Sequence, residues 1–186
     1  MPANCQEPGD EELMLAAGRG SREAFAEIVR RHHARVLSLL TFLTGDREMA
    51  SDLTQDCFLR ALRAAPRWRP RARLTTYLVT LARNAAIDAK RAAWQRREPL
   101  DAEPVAAGPA PDEITSRHEL ARRLNTMLAD LPPEDREALV LSEVGGLTYR
   151  EIAEAAGVPE GTVASRKSRA IRRVRERWHR TPEGES

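Results

Sequence analysis

The sequence predicts an all-α chain, two small helical domains joined by a flexible, acidic, Pro-rich linker. Three observations carry that reading. Apolar residues recur at helical spacing from residue 11 to 97 and again from 113 onward. No segment shows the alternation or β-branched clustering of a strand. Between the two runs, residues 98–112 hold Pro99, Pro104, Pro109 and Pro111 among Ala, Gly and acids, a composition that cannot build a core. The domains are therefore placed at 10–97 and 113–180, with 98–112 as the linker. Both are small, so each is expected to be modestly stable.

Element by element, residues 11–18 read as a short amphipathic helix with Leu13, Met14 and Ala17 on one side. Ser21 caps a longer helix whose buried stripe is Phe25, Ile28, Val29, His32, Val36, Leu39, Leu40 and Leu43. Gly45 ends it and Asp46 caps the next, about 47–65, which is expected to bury Leu53, Phe58, Ala61 and Leu62. Pro66 and Pro70 bracket a basic loop, PRWRPRAR. A fourth helix, about 74–97, turns Leu74, Leu78, Leu81 and Ala85 inward. Beyond the linker, Leu120, Leu124, Met127, Leu128 and Leu131 form one stripe. Pro133 then starts a helix running through Val144, and Gly145 and Gly146 end it.

The stretch TYREIAEAAGVPEGTVASRKSRAIRRVRER, 148–177, reads as two helices around a tight turn. Thr148 caps the first, with Glu151 as its capping-box partner. Ile152 and Ala153 look inward. Gly157 suits a left-handed helix end and Pro159 the start of the next helix. This is the helix-turn-helix pattern, whose second helix enters the DNA major groove. On that second helix Val163, Ala170, Val174 and Trp178 form an apolar stripe, while Ser165, Ser168, Arg169 and Arg172 fall on another face. Residues 162–180 hold eight Lys or Arg against the single acid Glu176, a balance suited to phosphate contact and counterion release. Arg169 can fork onto a guanine edge, and Ser165 and Ser168 are short enough to let the helix come near.

Net charge is only +2, but it is segregated. Residues 60–97 hold eleven Lys or Arg and one acid, Asp88, whereas 98–116 hold five acids and no Lys or Arg. Two basic blocks around an acidic tether point to two surfaces on one polyanion. Trp68, Tyr77 and Trp94 lie among the first block's arginines, and aromatics among cations suit single-stranded bases. Tyr77 and Trp94 read as core rings. Trp68 reads as an exposed platform, because its loop offers little apolar company.

Several classes are excluded. Cys5 and Cys57 make no disulfide framework, and a reduced, cytoplasmic protein is the simple inference. Adjacent His32 and His33 point different ways on a helix and cannot clamp one metal. No apolar run approaches a membrane span, and the acidic N-terminus is not a signal-peptide pattern. There is no phosphate-binding Gly loop, paired acid in an apolar pocket, or nucleophile with a base. No enzyme activity, catalytic residue, metal or cofactor is expected.

Across about 165 of the 186 residues the chain resembles the extracytoplasmic-function group of sigma-70-type sigma factors. DLTQDCFLRAL (52–62) resembles the region 2 helix that grips the clamp helices of RNA polymerase. LARNAAIDAKR resembles the helix after the strand-opening loop. LPPEDREALVLSEVGGLTYREIAEAAGVPEGTVASRKSRAIRRVRE resembles region 4 nearly end to end. The order and spacing of the three carry the resemblance.

What the resemblance implies is a promoter-specificity subunit built from a region 2 helical bundle and a region 4 helix-turn-helix. Asp52, Gln55 and Asp56 would engage core RNA polymerase. Trp68, Arg69, Arg71, Arg73 and Tyr77 would form the pocket, or its rim, for a base flipped from the −10 element, with Arg83 and Asn84 near the adjacent DNA. Ser165, Ser168 and Arg169 would read the −35 element, while Arg150, Arg166 and Lys167 anchor phosphates. The acidic linker would thread the polymerase channel. The family usually has a phenylalanine in the loop and a tryptophan before the Leu of the fourth helix, whereas this chain reads RWRPRARLTTYL, with Tyr77 at the tryptophan place. Partners implied are core polymerase, promoter DNA and an anti-sigma factor, with no membrane insertion and no ligand-binding extension after Arg180. Two other readings compete: a stand-alone dimeric helix-turn-helix regulator, which leaves the first domain unexplained, and a decoy for an anti-sigma factor, which has no need of the basic blocks.

Overall fold

The computed structural model describes residues 8–96 and 116–180. The expected linker, and any role for it, lies outside the described residues. The first segment holds α1 (Asp10–Gly18), α2 (Arg22–Thr44), α3 (Arg47–Ala64), a 3-10 turn (Ala65–Arg67) and α4 (Leu74–Arg96). The second holds α5 (Ser116–Ala129), α6 (Pro133–Glu143), α7 (Tyr149–Ala156) and α8 (Glu160–Arg180). No strand occurs among the described residues, and no helix there is long and apolar enough to cross a membrane.

Local chemistry sets the helix ends. Ser21 Oγ accepts from the Ala24 amide at 3.1 Å, and Asp46 Oδ1 accepts from the Glu48 and Met49 amides at 2.9 and 3.1 Å. Gly45 takes the left-handed conformation, φ 81°, that closes α2.

α2 is the axis of the first bundle and packs against α1, α3 and α4. Ile28, Leu39 and Leu40 are fully buried along it, as the apolar spacing predicts. Its His32 is buried too, with Nε2 at 2.6 Å from Asp10 Oδ2. A second acid of α1, Glu11, accepts the Leu74 amide at 3.1 Å and so caps α4 from 63 residues away. The acids at the start of α1 therefore tie three helices together, a role that no local pattern announces.

Four expectations are corrected. On α3 the inward stripe is Ala50, Thr54, Cys57, Phe58 and Ala61, while Leu62 is 42% exposed and Leu59 50%. Thr54 can be buried because its hydroxyl donates to the Ala50 carbonyl at 2.7 Å. Trp68 is only 8% exposed and belongs to the same core as Leu13, Met14 and Ala17. Leu120 is exposed on α5, and Trp178 at the end of α8 carries the Arg123 guanidinium 4.2 Å over its ring.

The second segment builds its core from Leu128, Leu131, Ala138, Val140, Leu141, Ile152, Val163 and Ala170. It lies directly against the first. Gly145, between α6 and α7, sits where a Cβ would come within 3.0 Å of Val79 Cγ1 on α4. α6 also packs on α2, and Asn125 Nδ2 donates to the Gly45 carbonyl at 3.4 Å.

Candidate nucleic-acid interface

The helix-turn-helix forms as its residues direct. Thr148 Oγ1 accepts the Glu151 amide at 3.3 Å, and Glu151 Oε2 accepts the Thr148 amide at 2.8 Å, completing the capping box. Gly157 adopts φ 68° and turns the chain into α8. Val163 and Ala170 bury one face of α8 against α6 and α7, so the opposite face must point outward. On that outward face Ser165 and Ser168 are exposed, with Arg169 and Arg172 on the same side.

The cations of α8 divide into two kinds. Arg166, Arg173 and Arg175 make no ion pair with a described residue. Lys167 and Arg169 do. Lys167 Nζ lies 2.6 Å from Glu143 Oε1 and donates to Ser142 Oγ at 2.8 Å, over the Tyr149 ring, with its side chain only 15% exposed. Glu143 in particular holds its ammonium in the charged form, above the usual lysine range. Lys167 therefore ties α8 to the end of α6. Arg169 donates Nε and Nη2 to Asp135 of α6 at 3.2 and 2.8 Å, yet its side chain stays 46% exposed. Arg150 stands out from α7 beside Glu154 at 3.0 Å.

The residues expected at the −10 element are less uniform. Arg69 and Arg71 are exposed on the basic loop, and Asn84 is exposed on α4. Trp68 is in the core. Tyr77 is partly buried, and burial pushes its hydroxyl above the usual tyrosine range. Arg73 and Arg83 are engaged by acids of the second segment. Arg83 Nε lies 2.5 Å from Glu137 Oε1, and Arg73 Nη2 lies 3.3 Å from Glu151 Oε2. Glu151 also accepts from the Thr76 hydroxyl at 2.6 Å. Burial alone would raise the Glu151 carboxyl. Its hydrogen bonds from Thr76 and Thr148, with the charge of Arg73, outweigh that and hold it at about 2.

On α3, Asp52 and Gln55 are exposed, and Asp56 pairs with Arg60 at 2.7 Å. Beside them lies a feature the sequence reading missed: an open apolar groove of about 290 Å³ between α2 and α3. Phe25, Val29, His33, Gln55, Phe58 and Leu59 line it, and the His33 and Phe58 rings stack at 6.3 Å. The signal was available, because DLTQDCFLRAL carries more apolar residues than one buried stripe can use. Cys57 beneath is a core thiol, pushed to about 11 by burial first and by the Asp56 charge second. No cluster among the described residues could hold a metal ion.

Comparison with known proteins places this architecture. Residues 28–96 match Sigma-70 region 2, and residues 121–174 match Sigma-70, region 4. The chain is 36% identical over 162 residues to the RNA polymerase sigma factor CarQ of Myxococcus xanthus, covering 84% of this chain and 90% of that one. It is 35% identical over 170 residues to the ECF RNA polymerase sigma factor SigM of Mycobacterium tuberculosis, covering 90% and 84%. Among solved structures, CnrH in complex with the cytosolic domain of CnrY shares the fold, with a TM-score of 0.70 at 20% identity over 93% of this chain and 99% of that one. So does the sigma factor RpoE in complex with the anti-sigma factor NepR from Bartonella quintana, with a TM-score of 0.67 at 24% identity over 86% and 99%. A two-part helical chain with a capped helix-turn-helix, matched in both parts and in the same order, belongs to the extracytoplasmic-function group of the sigma-70 family of RNA polymerase sigma factors.

Proposed function

We propose that this chain binds core RNA polymerase in the cytoplasm, directs it to promoters with −10 and −35 elements, and promotes strand opening, under the control of an anti-sigma factor. Sigma factors are initiation factors and not enzymes, so its work is recognition. The observation that carries the reading is the outward face of α8, where Ser165, Ser168 and Arg169 stand exposed near Arg166 and Arg173, which make no ion pair with a described residue, while the opposite face is buried. Such a helix suits a major groove at the −35 element, with Arg150 and Arg166 on flanking phosphates.

Region 2 has the matching chemistry for the other two contacts. Gln55 lines the apolar groove, and Asp52 and Asp56 stand on the same helix as the exposed Leu59 and Leu62, a combination of apolar and polar groups suited to a partner helix on polymerase. Arg69, Arg71, Arg73 and Arg83 supply a cationic surface for −10 DNA, with the Asn84 amide beside it. Arg73 and Arg83 are held by Glu151 and Glu137, so DNA binding there exchanges carboxylates for phosphates. Anti-sigma control is supported by the likeness in fold to the sigma factor RpoE, solved in complex with the anti-sigma factor NepR.

Run-off transcription with core polymerase on a promoter library, with and without this chain, tests the reading. Transcripts that depend on the chain and share two spaced motifs are expected. Duplex binding without transcription would move the function to a stand-alone regulator. For the anti-sigma partner, the native protein should copurify with a second protein before induction. Its recovery only as free monomer or with polymerase would remove that part of the proposal.

A further inference from the structure

Asp135 is the third residue of α6, in the first turn, where the helix dipole favours an anion. It is 2% exposed, and its carboxylate receives both Nε and Nη2 of Arg169. A buried carboxylate with a cation held this way fixes that cation's plane and direction. The guanidinium has five N–H donors in a rigid fork, and this side-on pairing occupies one edge of it. The adjoining edge, Nη1 with the remaining Nη2 hydrogen, is left over, on a side chain 46% exposed. Ser165, one turn before it, and Ser168, the residue before it, are exposed and keep the helix surface low enough for a base edge to reach it.

We infer that Asp135 is a positioning residue for sequence readout, holding Arg169 so that its free edge meets the O6 and N7 of one guanine in the −35 element. This rests on the reading of α8 as the −35 helix and deepens it. Guanine is the base whose major-groove edge offers two acceptors to such a fork. An exposed arginine without a brace must give up rotamer freedom on binding, and a braced one has already done so. Lys167, whose ammonium is covered by Glu143, Ser142 and Tyr149, has no comparable free edge.

The test is selection of bound sites from duplex DNA randomised across the −35 region, using the full chain assembled with core polymerase. Wild type, Asp135→Asn, Asp135→Glu and Arg169→Lys are compared, with helicity and melting temperature measured for each. The wild type is expected to select a guanine at one position with about 10- to 100-fold preference. Asp135→Asn should lower that preference to a few-fold at that position alone, and Asp135→Glu should restore part of it. Arg169→Lys, which keeps the charge but not the fork, should lose the same position. If Asp135→Asn does not fold, Arg169→Lys and 7-deazaguanine in the probe decide. A guanine preference that survives either one overturns the proposal, as does an Asp135→Asn that weakens all positions alike. A wild-type holoenzyme that selects no −35 motif at all overturns the α8 reading itself, a distinguishable result.

Discussion

Thr76 on α4 donates its hydroxyl to Glu151 on α7 at 2.6 Å, and the same carboxylate closes the capping box of the helix-turn-helix with Thr148. One side chain thus completes a local helix start and joins the two halves of the molecule. Arg83 and Glu137 make a second joint at 2.5 Å, with side chains only 13% and 23% exposed, so salt screens it weakly.

The pH dependence of this joint follows from the Glu151 carboxyl, which is held at about 2 against an ordinary 4.5. A carboxylate whose folded value is depressed stabilises the fold fully above its unfolded value, and that contribution is lost as pH falls toward the folded value. Its contribution to stability should be full at pH 5 and fall away between about 4.5 and 2. Carbon-detected NMR titration of the Glu151 carboxyl should show a midpoint near the lower limit. A midpoint near 4.5 would mean that the contact to Thr76 is not held in solution.

Thr148→Ala should destabilise the second half by about 1 kcal/mol, the usual cost of a lost helix cap, and Thr148→Ser should cost little. Urea unfolding followed by circular dichroism measures both. Equal losses for the two substitutions would show that the methyl group, rather than the hydroxyl, is what matters there.

Trp68→Ala should cost about 3–5 kcal/mol, because a large buried ring leaves a cavity. Thermal melting of the purified variant separates this from a stacking platform, whose removal would leave the melting temperature unchanged and weaken only single-stranded DNA binding.

Arg166→Ala should reduce the salt dependence of duplex binding by about one phosphate contact. Lys167→Ala should leave that slope unchanged and lower stability instead, because its ammonium is already held by Glu143 and Ser142. Binding isotherms between 50 and 200 mM salt, roughly the range over which counterion release is resolved, distinguish the two.

What could be read along the chain is what neighbours in sequence determine. Ser21, Asp46, Thr148 and Gly157 stand at helix ends because capping and left-handed turns involve residues only a few positions apart. The stripe of α2 and the two-faced α8 were legible for the same reason, since helical periodicity is local. The candidate −35 face needed no more than this. Trp68 and Leu62 were not legible in this way because their surroundings come from distant segments. Helical phase alone could not say that the core would accept Thr54 and leave Leu62 in solvent, or that Trp68 would be buried. Nor could it show that Glu11 would cap α4, that Asp135 would take one edge of Arg169, or that Glu137 and Glu151 would cover two arginines of the first half. Ion pairs and burial over such separations depend on how whole helices stack, and only the tertiary structure decides that.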